Sequence, residues 1–278
     1  MQSPPDFDIT PDQESIATVA RDIRFFPTQN PNPRSLSPAS IDTWNKEGYL
    51  GPLDLYGRQS IDEIRAYFDV LLQEALQAGQ DSYSISSAHL KHGRVWDILN
   101  HPTLVSYVRD LLGEDVIGWG SHFFCKMPMD GKSVDWHQDC SYWPLTPTKA
   151  VTVWLAIDDA DKANGCMEVY TGSHHHGLID FEASSAQSGN VLNQSVQKPE
   201  QYGQHKLTPL KAGQISIHSD LLVHGSAPNH SNRRRCGLTL RYCPASVLAY
   251  LGWNRKGVPV SGKASPELWP GAKRPVSD

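Results

Sequence analysis

The sequence predicts a mainly β protein with flanking helices, in which helices pack on one face of a β-sandwich or barrel. Capped segments with helical periodicity fill residues 37–112. After about residue 116 the pattern changes to short β-branched or alternating runs, separated by clusters of Gly, Pro, Asn and Asp. The chain has 278 residues, 39% of them hydrophobic, which is enough to bury one sizeable core.

Residues 1–35 are rich in Pro, Asn, Asp and Ser and are expected to cross the surface irregularly, ahead of a single domain spanning 36–278. A first helix follows Ser37 as cap, with Pro38 in its first turn and Gly48 ending it. Ser60-Ile61-Asp62-Glu63 reads as a capping box opening a helix to about Gln80. Its apolar face is Ile61, Ile64, Phe68, Leu71, Leu72 and Ala75. A third helix runs from Pro102 to Leu112 and stops at Gly113. The predicted strands are Val116–Trp119, Lys149–Ile157, Gln214–Ile217 and Cys236–Tyr242. The Ser/Gln/Asn-rich stretch 178–206 is expected to be a long loop, mobile or acting as a lid. No repeat and no internal linker divides the chain.

Composition narrows the function. A net charge of −5 and a pI near 6.2 argue against a nucleic-acid or membrane-surface binder, and Arg233-Arg234-Arg235 is too short to count as a polybasic tail. Five cysteines, odd in number and without a CxxC pair, argue against a disulfide framework or structural zinc and for a reducing compartment, the cytoplasm. The acidic, Pro-rich start does not read as a signal peptide, and the longest apolar run, Val151–Ile157, is far short of a membrane span.

The chemistry begins at Trp136-His137-Gln138-Asp139. In an extended strand residues i and i+2 share a face, so His137 and Asp139 can grip one ion. A second His-x-Asp occurs at His218-Ser219-Asp220. If that segment is extended through Leu221-Leu222-Val223, Asp220 and His224 stand about 13 Å apart and cannot share an ion. His224 opens the turn His224-Gly225-Ser226-Ala227-Pro228-Asn229, at a strand end, and is the better distant partner for the 137/139 pair. Two imidazoles and one carboxylate suit Fe(II) and leave positions open for oxygen chemistry.

The sequence resembles the phytanoyl-CoA dioxygenase family from Ser37 to about Pro244. The matching segments are Asn45-Lys46-Glu47-Gly48-Tyr49-Leu50, His137-Gln138-Asp139, Asn164-Gly165-Cys166, Gly172-Ser173-His174 and His224-Gly225-Ser226, followed by Arg235. The resemblance implies a double-stranded β-helix core, a cupin-like jelly roll. It implies iron on His137, Asp139 and His224, and Arg235 holding the far carboxylate of 2-oxoglutarate with help from Ser226. Trp154 resembles the family's tryptophan near that site. Strand alternation adds Gly237, Thr239 and Arg241 to the face of Arg235.

Lys126, His122 and Phe124 share one strand face and can line a pocket, Lys126 toward the co-substrate. His122, Tyr142, Trp143 and Arg241 are the candidates for substrate contact. The segment His89–His92 falls where the family places another cofactor contact, in a register the sequence leaves open, and His174–His176 read as structural. The implied reaction consumes O₂ and 2-oxoglutarate and releases succinate and CO₂. Its expected product is a hydroxylated small polar or anionic metabolite. The rival expectations are a non-catalytic cupin-like binding protein and a metal hydrolase that activates water.

Overall fold

A computed structural model of the protein describes residues 13–184 and 189–278. The first part carries α1 (Gln13–Ala17), α2 (Pro38–Glu47), β1 (Tyr49–Asp54), α3 (Arg58–Gln77), α4 (Gly93–Leu99) and α5 (Pro102–Leu112). Strands then dominate: β2 (Val116–Lys126), β3 (Val134–His137), β4 (Leu145–Thr146), β5 (Val151–Ala156) and β6 (Glu168–Thr171). Next come β7 (Phe181–Ala183), β8 (Gln194–Val196), β9 (Gln204–Leu207), β10 (Gln214–Ser219) and β11 (His224–Ser226). The last are β12 (Arg235–Pro244), β13 (Leu248–Ala249) and β14 (Val258–Ser261).

Two antiparallel sheets result, a six-stranded one ordered β1-β10-β5-β12-β2-β14 and a four-stranded one ordered β3-β11-β6-β9. Between β2 and β12 the chain passes repeatedly from one sheet to the other, which is the jelly-roll path. Two small ribbons, β4 with β13 and β7 with β8, complete the pairing of the named strands.

The period of two divides the larger sheet into an oily face and a polar face. Val151, Val153 and Leu155 of β5, Ile215 and Ile217 of β10, and Cys236, Leu238, Leu240 and Tyr242 of β12 pack in one buried cluster with α2 to α5. Phe68 of α3 is fully buried there and stacks on Phe123 of β2, ring centroids 4.8 Å apart. The intervening residues, Thr152, Trp154, His218, Arg235, Thr239 and Arg241, line a cavity on the opposite face. The fold thereby aims one strand's alternate residues at chemistry and the others at the helices.

Several expectations need correction. α1 lies within the segment expected to be irregular, residues 1–12 of which fall outside the described ones. Ser37 does cap α2, and Gly48 closes it at φ 69° with its N–H on the Trp44 carbonyl. A Cβ on Gly48 would also strike the His174 ring, at 2.6 Å, so the turn needs glycine twice over. α3 ignores its capping box: it starts at Arg58, and Gly57 precedes it without a side-chain cap. Ser60 already lies inside the helix and so cannot cap it, and Glu63 accepts the Gln59 side-chain amide. α4, short and opened by a glycine, gave too little periodicity to be read in advance. The 178–206 segment holds β7, β8 and β9 and is no structureless loop, residues 185–188 again lying outside the description. Leu221–Val223 are buried, but the backbone there turns and does not continue β10.

Phe68→Ala removes a fully buried ring and is expected to lower unfolding free energy by about 3–5 kcal/mol. Val70→Ala, at an exposed position of the same helix, should change it by less than about 0.5 kcal/mol. Urea midpoints of the two variants check this.

Candidate metal centre

β3 ends at His137, and the chain turns at once into a short 3₁₀ segment, Asp139–Tyr142. Gln138 keeps an extended backbone, φ −115° and ψ 131°, so the i, i+2 relation still holds across the boundary. His137 Nε2 and Asp139 Oδ1 come within 3.9 Å. β11 lies beside β3 with His224 directly opposite His137, and their ring centroids are 4.1 Å apart. One ligand atom from each of His137, Asp139 and His224 falls within 4.8 Å of the others, and all three side chains are buried.

The hydrogen bonds around these groups test whether they suit a metal. His137 Nδ1 lies 2.8 Å from the Asp135 carbonyl and His224 Nδ1 2.9 Å from the Leu222 carbonyl. A carbonyl only accepts, so the ring proton sits on Nδ1 in both and each Nε2 lone pair is left for an ion. Asp139 Oδ2 accepts from Thr152 Oγ1 at 2.7 Å, and His218 Nε2 stands 3.5 Å from the same oxygen. Burial lowers the proton affinity of both imidazoles, and for His224 the neighbouring His137 and His218 rings push the same way. Burial alone would raise Asp139, yet the His218 ring, His224 and Arg241 hold it well below the usual carboxylate range. Two neutral imidazoles and an anionic carboxylate form a donor set that fits Fe(II).

The clasp is braced from the residue between the ligands. The Gln138 amide donates to the carbonyls of Gly177 and Leu221 and accepts from Ile179 N–H. Cys140 N–H bonds the Asp220 carbonyl. Both sets tie the 137–140 turn to the bend before β11, which fixes where His224 emerges.

Next to the triad a narrow cavity of about 50 Å³ is lined by Trp154, Met167, Ser226, Arg235 and Thr239 among others. Arg235 is 3% exposed, its Nε donates to the Gly165 carbonyl at 2.9 Å, and its guanidinium faces the Trp154 ring at 5.4 Å. Among the described residues no carboxylate pairs with it. Its neighbours differ: Arg233 pairs with Asp161, and Arg234 with Asp158 and Asp69. Gly237 makes room for Trp154, because a Cβ there would sit 2.0 Å from that ring. Lys126 does not line the cavity: it is fully buried and donates to the carbonyls of Lys132, Ser226 and Ala227, a structural use of its charge.

A second, wider cavity of about 500 Å³ shares Phe124, His137, Asp139 and Arg241 with the first. His122, Tyr142 and Trp143 line it, together with Asn190, Leu192 and Trp253. His174 stays apart, packed on Phe25 and bonded to the Asn45 carbonyl. His89 is also remote, its ring held between Ser121 Oγ and the Lys256 carbonyl.

Sequence reasoning missed His218 and Thr152. The signal for Thr152 was present, since it shares a strand face with Trp154. His218 was hidden by treating 221–223 as strand, because only the turn brings it within 4.4 Å of the His224 ring, centroid to centroid.

The sequence profile of the phytanoyl-CoA dioxygenase (PhyH) family matches residues 44–237. The chain belongs to this family. It is 28% identical over 191 residues to a probable alpha-ketoglutarate-dependent hypophosphite dioxygenase of Stutzerimonas stutzeri, covering 65% of each chain. It is 27% identical over 160 residues to an L-proline trans-4-hydroxylase of Streptomyces griseoviridis, covering 51% of this chain and 59% of that one. Both alignments thus span less than two thirds of the relative. Among solved structures, the apo form of the non-heme monooxygenase ThoJ superposes with a TM-score of 0.73 at 25% identity, over 85% of this chain and 88% of that one.

Thr152→Val removes the hydroxyl that holds Asp139 and should weaken metal affinity about tenfold or more, read by calorimetric titration with a divalent ion. His89 gives a pH test. Burial lowers it to about 4, whereas an unfolded histidine takes up its proton near pH 6.5. Stability from neutral His89 is complete above about pH 6.5 and is lost as pH falls toward 4, a swing on the order of 3 kcal/mol. His89→Gln should flatten that part of the stability profile.

Proposed function

We propose that this chain is an Fe(II)- and 2-oxoglutarate-dependent dioxygenase that hydroxylates a C–H bond of a small polar or anionic metabolite, with residues 36–278 acting as one domain. One observation carries the reading: a buried His-Asp-His triad stands beside a buried guanidinium that lacks a carboxylate partner among the described residues. Burying such a charge is costly unless something answers it. A dicarboxylate whose far end meets the planar fork of Arg235 does so.

His137 and His224, through Nε2, and Asp139, through Oδ1, would hold the metal. Arg235, with Ser226 beside it, would anchor the co-substrate, and Trp154 would wall it in. The inner cavity is smaller than a five-carbon dicarboxylate, and Met167 on its wall is an unbranched side chain able to swing aside. The metal, when bound, supplies the oxygen chemistry in which one atom of O₂ enters succinate, the other enters the substrate's new hydroxyl, and CO₂ leaves. The protein's own share is to orient a C–H bond and exclude water, for which the aromatic residues Phe124, Tyr142, Trp143 and Trp253 of the outer cavity are suited. The hypophosphite and proline named for the two relatives are both small molecules, and hypophosphite is an anion. Among the described residues no helix is long and apolar enough to cross a membrane. We place the protein in the cytoplasm, a reading supported by five buried cysteines with free thiols.

A non-catalytic cupin-like binder would leave Arg235 without a task, and a hydrolase would work with zinc and without O₂. With Fe(II) and ascorbate the purified protein should bind 2-oxoglutarate and release succinate as O₂ is consumed. Arg235→Gln should raise the KM for 2-oxoglutarate roughly 10- to 100-fold, and His224→Ala should lose stoichiometric metal. No binding of 2-oxoglutarate by the iron-loaded wild type, or turnover with zinc under nitrogen, would overturn the reading.

A further inference from the structure

Two arginines rise from the cavity face of β12, and the oxygenase reading gives a ligand to only one. Arg235 and Arg241 are six residues apart, about 20 Å along an extended strand. Asp139 lies toward Arg241: Thr152, which holds Asp139, is paired with Arg241 across the β5–β12 ladder. Arg241 alone lines both the inner cavity and the outer one without belonging to the triad or to Phe124.

The surroundings of Arg241 look built. Its backbone partner on β2 is Gly120, and a Cβ there would lie 3.1 Å from the arginine Cδ, so the missing side chain gives the stem its path. The register leaves Trp119 unpaired as a bulge between Gly118 and Gly120, which turns its indole toward the same side. The guanidinium is thereby flanked by Trp143 at 5.2 Å and Trp119 at 6.0 Å. Lys132, another cation on the outer wall, is committed to Asp81. Arg241 forms no salt bridge among the described residues, although the Asp139 carboxylate acts on it from farther away, and its buried Nε meets no acceptor. Lys256, 4.1 Å from the Trp253 ring centroid, adds positive charge behind that wall. His122 adds none, since burial and Arg241 keep it neutral to about pH 3.

We propose that Arg241 is the substrate's anchor. The outer cavity takes an organic acid whose single oxyanion head lies on the Arg241 guanidinium and whose carbon body lies against Tyr142, Trp143, Leu192 and Trp253. This rests on the oxygenase reading and narrows its substrate class from polar or anionic to anionic with an apolar body. Because Arg241 stands beside the residue that holds Asp139, the carbon presented to the metal lies within a few bonds of the head. A neutral isostere of the acid forfeits the charge-assisted bond to the desolvated guanidinium and binds poorly.

The test uses wild-type protein loaded with Ni(II) in place of iron. It is titrated first with 2-oxoglutarate, then with phenylacetate against phenylacetamide and hexanoate against hexanamide. At least one acid should bind about tenfold or more tighter than its amide. Arg241→Gln should abolish that preference while 2-oxoglutarate still binds, and Arg241→Lys should keep part of it. Retained 2-oxoglutarate binding also shows that the variant is folded. Acids binding no better than amides overturn the proposal, as does a preference that survives Arg241→Gln. A parallel loss of 2-oxoglutarate and acid affinity also overturns it, by assigning Arg241 to the co-substrate. Failure of the wild type to bind 2-oxoglutarate at all sinks the oxygenase reading instead, and the acid–amide comparison is then read on the metal-loaded protein alone.

Discussion

The pairing of β3 with β11 is the constraint from which the centre follows. It sets His224 across from His137 although 87 positions separate them in sequence. Neither histidine has a local reason to meet the other; strand hydrogen bonds bring them together, and Gln138 and Cys140 lock the neighbouring bend. The ligands are therefore held by the sheet, with their rings already oriented by backbone carbonyls. A centre arranged in this way needs little reorganisation to accept an ion.

The same economy explains how so many charges survive inside the barrel. Lys126 has three carbonyls and Arg235 has one, while Asp139 has a hydroxyl and an imidazole close by. Outside, Asp158 joins Arg65 of α3 to Arg234 and accepts Cys236 N–H, so the start of β12 is bolted to the helical layer. That anchorage lies immediately before the residues that enter the cavity. Structure on one face of the strand thus steadies chemistry on the other.

Much of this was legible in the sequence because its signals are short-ranged. Alternation along Arg235–Tyr242 separated Arg235, Thr239 and Arg241 from Leu238 and Leu240, and His137 with Asp139 needed only one intervening residue of extended chain. Helix ends were readable where a cap is a local hydrogen bond, as at Ser37. They were misread where the helix begins without a side-chain cap, two residues ahead of Ser60. What escaped was whatever depends on a turn, including the approach of His218 to the triad and the β7–β8 ribbon. The use of Lys126 was also out of reach, because two of its three acceptors belong to backbone a hundred residues away and leave no mark in composition. Bulge geometry at Trp119 is of the same kind: it exists only as a mismatch between two strands.

A single strand carrying both guanidiniums has a consequence for how this site can vary. The spacing between them is set by backbone pitch, so it behaves as a fixed gauge. One inserted residue between positions 235 and 239 would reverse one arginine relative to the other, whatever replaced the side chains. Variation that keeps this spacing is left to the segments bearing Asn190, Leu192 and Trp253, which line the wider cavity from outside β12.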